Sequence, residues 1–261
     1  MKKYIFIAFL LLISIGSKAQ FTVSYSAGYG DYRMKDLKDD VKAAFANLQE
    51  QLPVNLKILD NYPGYINHNV TLSYIRNNHE AGITGSFLTT GAKMAYSDYS
   101  GEYMQKSTLN GYRVGVLYRF LHPVANPWPL GTLYVFGELS PAVIFSRHKE
   151  NGHLIASNSV LSRTSAKSKI TQLSVTPAIG VRLNVTPNIG FHTSIGYDFN
   201  IDNNYYADIE YKTATTVLSG TGSDLNSTNN STSYKTEYSE WKPDWSGIRF
   251  NLGISYTFGR Y

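Results

Sequence analysis

Cysteine is absent from the 261 residues, so the chain has no disulfide framework, no thiolate metal site and no lipid-modified N-terminal cysteine. Charge is also scarce. Only 16% of residues are Asp, Glu, Lys or Arg, against roughly 25% in an average soluble domain. Beyond the N-terminus there is no apolar run near the roughly 20 residues of a membrane-spanning helix, and mean hydropathy is −0.24. A helical membrane protein is thereby excluded. So is a disordered chain, which combines low hydrophobicity with high net charge, because 43% of these residues are apolar. What the chain has instead is 21 Tyr, 12 Phe and 21 Gly. Many aromatics and glycines with few charges point to a sheet that has one polar and one apolar face.

The N-terminus reads as an address. Lys2 and Lys3 precede an apolar stretch over residues 4–15, and Ser17-Lys18-Ala19 is a small-residue cleavage site. Cleavage after Ala19 removes residues 1–19 as a signal peptide and leaves 20–261 as one barrel domain. A retained anchor is disfavoured, since the run is too short to span comfortably. Loss of Lys2, Lys3 and Lys18 lowers the formal net charge from +5 to +2. The pI of 9.1 therefore gives no support for nucleic-acid binding.

The remaining sequence has a period of two. At the C-terminus, Ile248, Phe250, Leu252, Ile254, Tyr256 and Phe258 alternate with Gly247, Arg249, Asn251, Gly253, Ser255 and Thr257. The same pattern runs from Leu173 to Val185 and from Ile189 to Ile201, and Thr186-Pro187-Asn188 joins these two as a hairpin. Further strands are predicted around 21–29, 69–74, 81–96, 112–120 and 133–145, which makes eight. In 81–96 the apolar phase switches from Ile83 and Phe87 to Met94 and Tyr96, and a bulge near Gly91 is the expected cause. Leu117, Tyr134, Phe136 and Ile144 also break the pattern.

Links at 76–80, 122–131 and 186–188 are short, and those at 31–64, 98–107, 147–169 and 202–245 are longer. That alternation fits short periplasmic turns and long external loops. Trp128, between Pro127 and Pro129, is placed to anchor at the membrane interface. The polar face is rich in Gly, Ser, Ala and Thr, as the crowded interior of an eight-stranded barrel requires. The fold class predicted is all-β: an eight-stranded antiparallel up-and-down transmembrane barrel.

The segment from Phe250 to Phe258 resembles the closing strand of small outer-membrane barrels of the OmpA-transmembrane, OmpX and OmpW kind. The hairpin from Val181 to Phe191 resembles their tight periplasmic turns, and the leader ending Ser-Lys-Ala-Gln resembles exported proteins of Bacteroidota. The resemblance implies residence in the cell outer membrane and insertion by the outer-membrane assembly machinery. It also implies contact with outer-membrane lipids and lipopolysaccharide. Phe258 is the position matching the usual terminal aromatic, although Gly259, Arg260 and Tyr261 follow it.

Chemistry-bearing groups are few. His192 and Ser194 share one strand face, as in a lipid A deacylase family of this barrel type, but they fall on the interior face and no matching acid is found. The other five histidines (His68, His79, His122, His148 and His153) have no metal-ligand spacing. Residues 34–52 read as an amphipathic helix with Leu37, Val41, Ala44, Phe45, Leu48 and Leu52 on one side. It either packs over the barrel mouth or meets a partner or lipopolysaccharide. Residues 213–233, rich in Ser, Thr, Gly and Asn, read as a mobile external loop. No catalytic residue, cofactor site or metal site is assigned.

Arg113, Arg119, Glu138, Arg182, Asp198 and Arg249 all fall on the interior face. Buried charges must be paired, so these six are predicted to form a lumen network that plugs the barrel. Hairpin arithmetic sets Arg182 opposite His192, Arg113 level with Glu138, and Asp198 near Arg249. The expected role is structural or interactive, with an envelope protein as a possible partner. The alternatives are a narrow transporter of small apolar molecules and a membrane-embedded lipid A hydrolase.

Overall fold

The structure, a computed structural model, describes residues 20–51, 56–99, 101–125, 131–156, 159–201, 208–219, 226–236 and 243–258. Residues 1–19, expected as a signal peptide, Leu52, Trp128 with its flanking prolines, and residues 259–261 lie outside them. The elements are β1 (Gln20–Tyr32), α1 (Lys35–Gln51), β2 (Lys57–Asn61), β3 (Tyr65–Arg76), β4 (His79–Asp98), β5 (Gly101–Ala125), β6 (Thr132–Ala156), β7 (Ser159–Asn184), β8 (Ile189–Ile201), β9 (Asp208–Ser219), β10 (Asn226–Thr236) and β11 (Gly247–Phe258).

Eight antiparallel strands close a ring in the order β1, β3, β4, β5, β6, β7, β8, β11 and back to β1. They are the eight predicted. One row of paired residues runs from Gln20 through Ile75, Glu80, Arg119, Glu138, Ala178, Gly196 and Arg249 to Gly30. The ring thus closes with a stagger of ten residues, which tilts the strands by about 40°. Asn77 and Asn78 make the two-residue turn between β3 and β4, both at positive φ.

Outward and inward positions alternate along each strand. The outward ones form an apolar belt roughly 25 Å tall. Its lower rim carries Phe21, Tyr74, Phe120 and Phe258; its upper rim carries Phe87, Tyr112 and Phe145. Aromatic pairs mark both edges, with Phe21 and Tyr74 centred 5.8 Å apart below and Phe87 and Tyr112 5.4 Å apart above.

Three sequence expectations are corrected. The β4–β5 pairing runs without a shift from His79–Phe120 to Asp98–Gly101, so there is no bulge at Gly91. The strand keeps its phase and the polarity inverts. Leu88, Ala92 and Met94 point inward and are buried, because above the belt the interior is apolar and the outside is water. Second, the expected loops 98–107 and 147–169 are strand: β5 begins at Gly101, β6 runs to Ala156 and β7 begins at Ser159. Third, the Ser/Thr/Asn-rich stretch expected as a mobile loop includes β9 and β10, an antiparallel pair that extends the sheet from β7.

Pro141 and Pro177 sit in wall strands and cannot donate to the ladder. The β5–β6 pairing is interrupted between Gly115–Ala142 and Tyr118–Leu139, and the β7–β8 pairing between Val175–Phe199 and Ala178–Gly196. At the first break the Ser140 hydroxyl donates to the Val116 carbonyl at 3.0 Å, in place of the missing proline N–H.

Candidate functional site: the closed lumen and its outer mouth

The lower lumen is governed by Glu80, a residue the sequence reading left inside a turn. It is fully buried, accepts from the Ser73 hydroxyl at 2.6 Å, and lies 3.4 Å from both Arg119 and Arg182. Arg119 also donates to Glu138 at 2.8 Å. Glu80, Arg119 and Glu138 are successive inward residues on one row, so strand pairing alone sets a carboxylate, a guanidinium and a carboxylate side by side. Arg182 donates further to Asn184 at 3.0 Å and Thr257 at 3.2 Å. Phe136 stacks under the Arg119 guanidinium, 4.7 Å away.

Arg113 and Arg249 lie higher. Arg113 is level with Ile144, and Glu138 is opposite Arg119, because the two strand arms of the 122–131 link are unequal. The expected Arg113–Glu138 alignment is therefore corrected. Arg113 instead donates to the Ser140 carbonyl at 2.7 Å and to Thr176 at 2.9 Å. Arg249 approaches Asp198 at 3.5 Å. Its flanking partners on the row are Gly30 and Gly196, and the space a Cβ would take at Gly30 is filled by the Tyr32 ring. Asp198 also accepts from Thr176. The six named residues therefore fall into two clusters, with Glu80 added to the lower one.

His192 is opposite Arg182 as the hairpin predicts. It and Ser194 are buried in the lumen, and Ser194 is within 3.5 Å of the Asn251 amide. Both face away from lipid. Among the described residues no group of three His, Asp or Glu side chains is arranged to hold a metal.

Above the charges lies an apolar plug. Tyr32, Met34, Leu37, Tyr62, Leu88, Leu109, Ile144 and Trp245 pack together, all buried. Trp245 is the centre. Its ring meets Tyr32 edge-on at 4.9 Å and its N–H donates to Ser146 at 2.8 Å. A Cβ at Gly111 would stand 2.9 Å from the indole, so only glycine fits beneath it. The chain is fastened here by Arg33 N–H to Ser246 O at 2.8 Å and Met34 N–H to Asp244 O at 3.1 Å. α1 begins at once, with its Leu37 and Val41 side packed on the plug. Trp245 gave no sequence signal, because it is the last residue of the stretch 202–245 read as a loop.

The void space follows from this stacking. A cavity of about 210 Å³ opens at the outer mouth, between α1 and the strands, with Leu37, Val41, Ala44, Ala92 and Met94 on its apolar side. A space of about 360 Å³ opens at the lower end beside Arg182 and Asn184, and only about 20 Å³ remains among the charges between them. His148 lines the mouth, where it meets Ser107 and Tyr62. It stands above the belt, and burial pushes its pKa down to about 4. The unfolded chain takes up that proton near pH 6.5, so mouth stability is complete above that value and falls as pH drops towards 4. Protection factors of residues 35–51, which are exchange rates corrected for their intrinsic pH dependence, should be lower at pH 5 than at pH 7.5, and His148→Phe should abolish the difference.

No family model matches the chain, and no curated protein matches it. Solved structures with a similar course of chain include the outer membrane protein OprG from Pseudomonas aeruginosa, at 11% identity and a TM-score of 0.41, covering 92% of this chain and 96% of that one. A major outer membrane protein from Thermus thermophilus stands at 12% identity and 0.42, covering 92% and 100%. The attachment invasion locus protein Ail of Yersinia pestis stands at 12% and 0.34, covering 92% and 97%. These likenesses concern the course of the chain alone. The chain's own ring and belt are those of a transmembrane barrel, an outer-membrane architecture.

Proposed function

We propose that the chain is a closed outer-membrane barrel with a structural or interactive role in the cell envelope, of the size and kind of OmpA-transmembrane, OmpX and OmpW barrels. The observation that carries this is the narrowing to about 20 Å³ among Arg113, Arg119, Glu138 and Arg249. Side chains fill most of the barrel at this level, so its useful surfaces are its wall, its rim and α1. Purified protein in a planar bilayer should show no large, steady single-channel conductance; a stable open channel would overturn the reading.

A second reading, narrow transport of small apolar molecules, is favoured by the partly apolar cavity at the mouth and by the ladder breaks at Pro141 and Pro177. Uptake of an apolar probe by vesicles holding the barrel, with no ionic conductance, would favour it over the first. A lipid-acting hydrolase draws no support from the geometry, since His192 and Ser194 face the lumen.

A further inference from the structure

Outward positions of β4, β5, β6 and β7 above the belt carry Lys93, Lys106, Arg147, Lys149, Lys167 and Lys169. The pairing sets like charges directly opposite one another three times: Lys93 against Lys106, Arg147 against Lys169, and Lys149 against Lys167. Directly opposed like charges destabilise a sheet. The acidic positions at the margins are Asp60 opposite Lys93, Glu210 opposite Lys167 and Asp208 opposite Lys169. Three carboxylates against six cations leave a surplus. Among the described residues, Lys106, Arg147 and Lys149 have no carboxylate in ion-pair reach.

The position of the patch tells what would balance it. Arg147 is two residues beyond Phe145, and its guanidinium lies 5.5 Å over the ring of Tyr112, both upper-rim aromatics. With a strand tilt of about 40°, the six α-carbons stand roughly 5–15 Å above the belt. Long basic side chains reach down from there while their stems lie on apolar surface. This is the layer of outer-leaflet headgroups. The patch lies on β4, β5, β6 and β7, the wall strands that continue well above the belt, whereas β1, β3, β8 and β11 end near its upper rim.

We propose that this patch is a docking surface for the phosphate groups of a phosphorylated glycolipid in the outer leaflet. Each phosphate would bridge one pair of opposed cations and relieve their repulsion. The proposal rests on the outer-membrane reading given above and names the lipid chemistry that its wall would select.

The test uses full-length protein in a zwitterionic detergent, with heat unfolding followed as diphosphoryl lipid A is added. The wild type should bind it at least tenfold more tightly than phosphatase-treated lipid A. Inorganic phosphate at equal concentration should not compete. The triple variant Arg147→Gln, Lys149→Gln, Lys167→Gln should lose most of the preference. Equal binding of the two lipids by the wild type would overturn the proposal whether or not the variant folds, as would an undiminished preference in a folded variant. Competition by free phosphate would overturn the lipid as its source. Envelope fractionation separates the two levels. Wild type missing from the outer-membrane fraction defeats the underlying reading, whereas wild type present there without phosphate preference defeats this inference alone.

Discussion

Leu252→Arg should destabilise the folded barrel by about 2–4 kcal/mol, the cost of a cation at mid-bilayer depth on the lipid face of a barrel. Leu252 is outward on β11, exposed at mid-belt between Phe250 and Ile254. Its neighbour Asn251 points the other way, where it accepts from Asn69 at 3.0 Å. Asn251→Ser should therefore cost only about 1 kcal/mol, the worth of one hydrogen bond. Unfolding by denaturant of protein refolded into lipid vesicles gives both values. Equal losses would mean that inside and outside have been assigned wrongly.

The second large effect belongs to Glu80. Its side chain is fully buried and shared by Arg119 and Arg182. Glu80→Ala removes the carboxylate that two buried guanidinium groups share, while Asn184 and Thr257 offer Arg182 only neutral oxygens in its place, and breaking a buried pair in this way costs about 3–5 kcal/mol. Glu138→Ala, which the sequence alone marks as the change that strands an arginine, should cost clearly less, because Arg119 keeps Glu80. Urea unfolding of the two variants in the same lipid decides the order, and a larger loss for Glu138→Ala would refute the placement of Glu80 at the centre of the network.

The wall was legible because lipid outside and a crowded lumen inside impose one rule on every residue of the belt. All eight strands and their sidedness follow from it, including the inward set from Arg249 to Thr257 and the facing of Arg182 and His192. The rule fails where its cause ends. Above the belt, water replaces lipid and the apolar plug replaces the charges, so Met94 and Ile144 turn inward and look like errors of phase. Inward Leu117 and Phe136 are true exceptions within the belt, and Phe136 is explained by its stacking on Arg119. Glu80 was missed because it stands only two residues after the Asn77–Asn78 turn, where alternation is too brief to read. The distance arithmetic that paired Arg113 with Glu138 assumed equal arms across 122–131, and the observed register does not have them.

The length of β5, β6 and β7, 25, 25 and 26 residues, has a consequence for reach. A tilted strand crosses the hydrocarbon in about 9–11 residues, so these three carry on for roughly 35 Å beyond it. A flexible loop of the same number of residues would let a bound protein wander and collapse onto the surface. A continuous ladder acts as a stiff spacer, and whatever docks at its tip is held at a set standoff from the cell. Shortening the β6–β7 hairpin by whole cross-strand pairs would lower that standoff in steps without touching the wall.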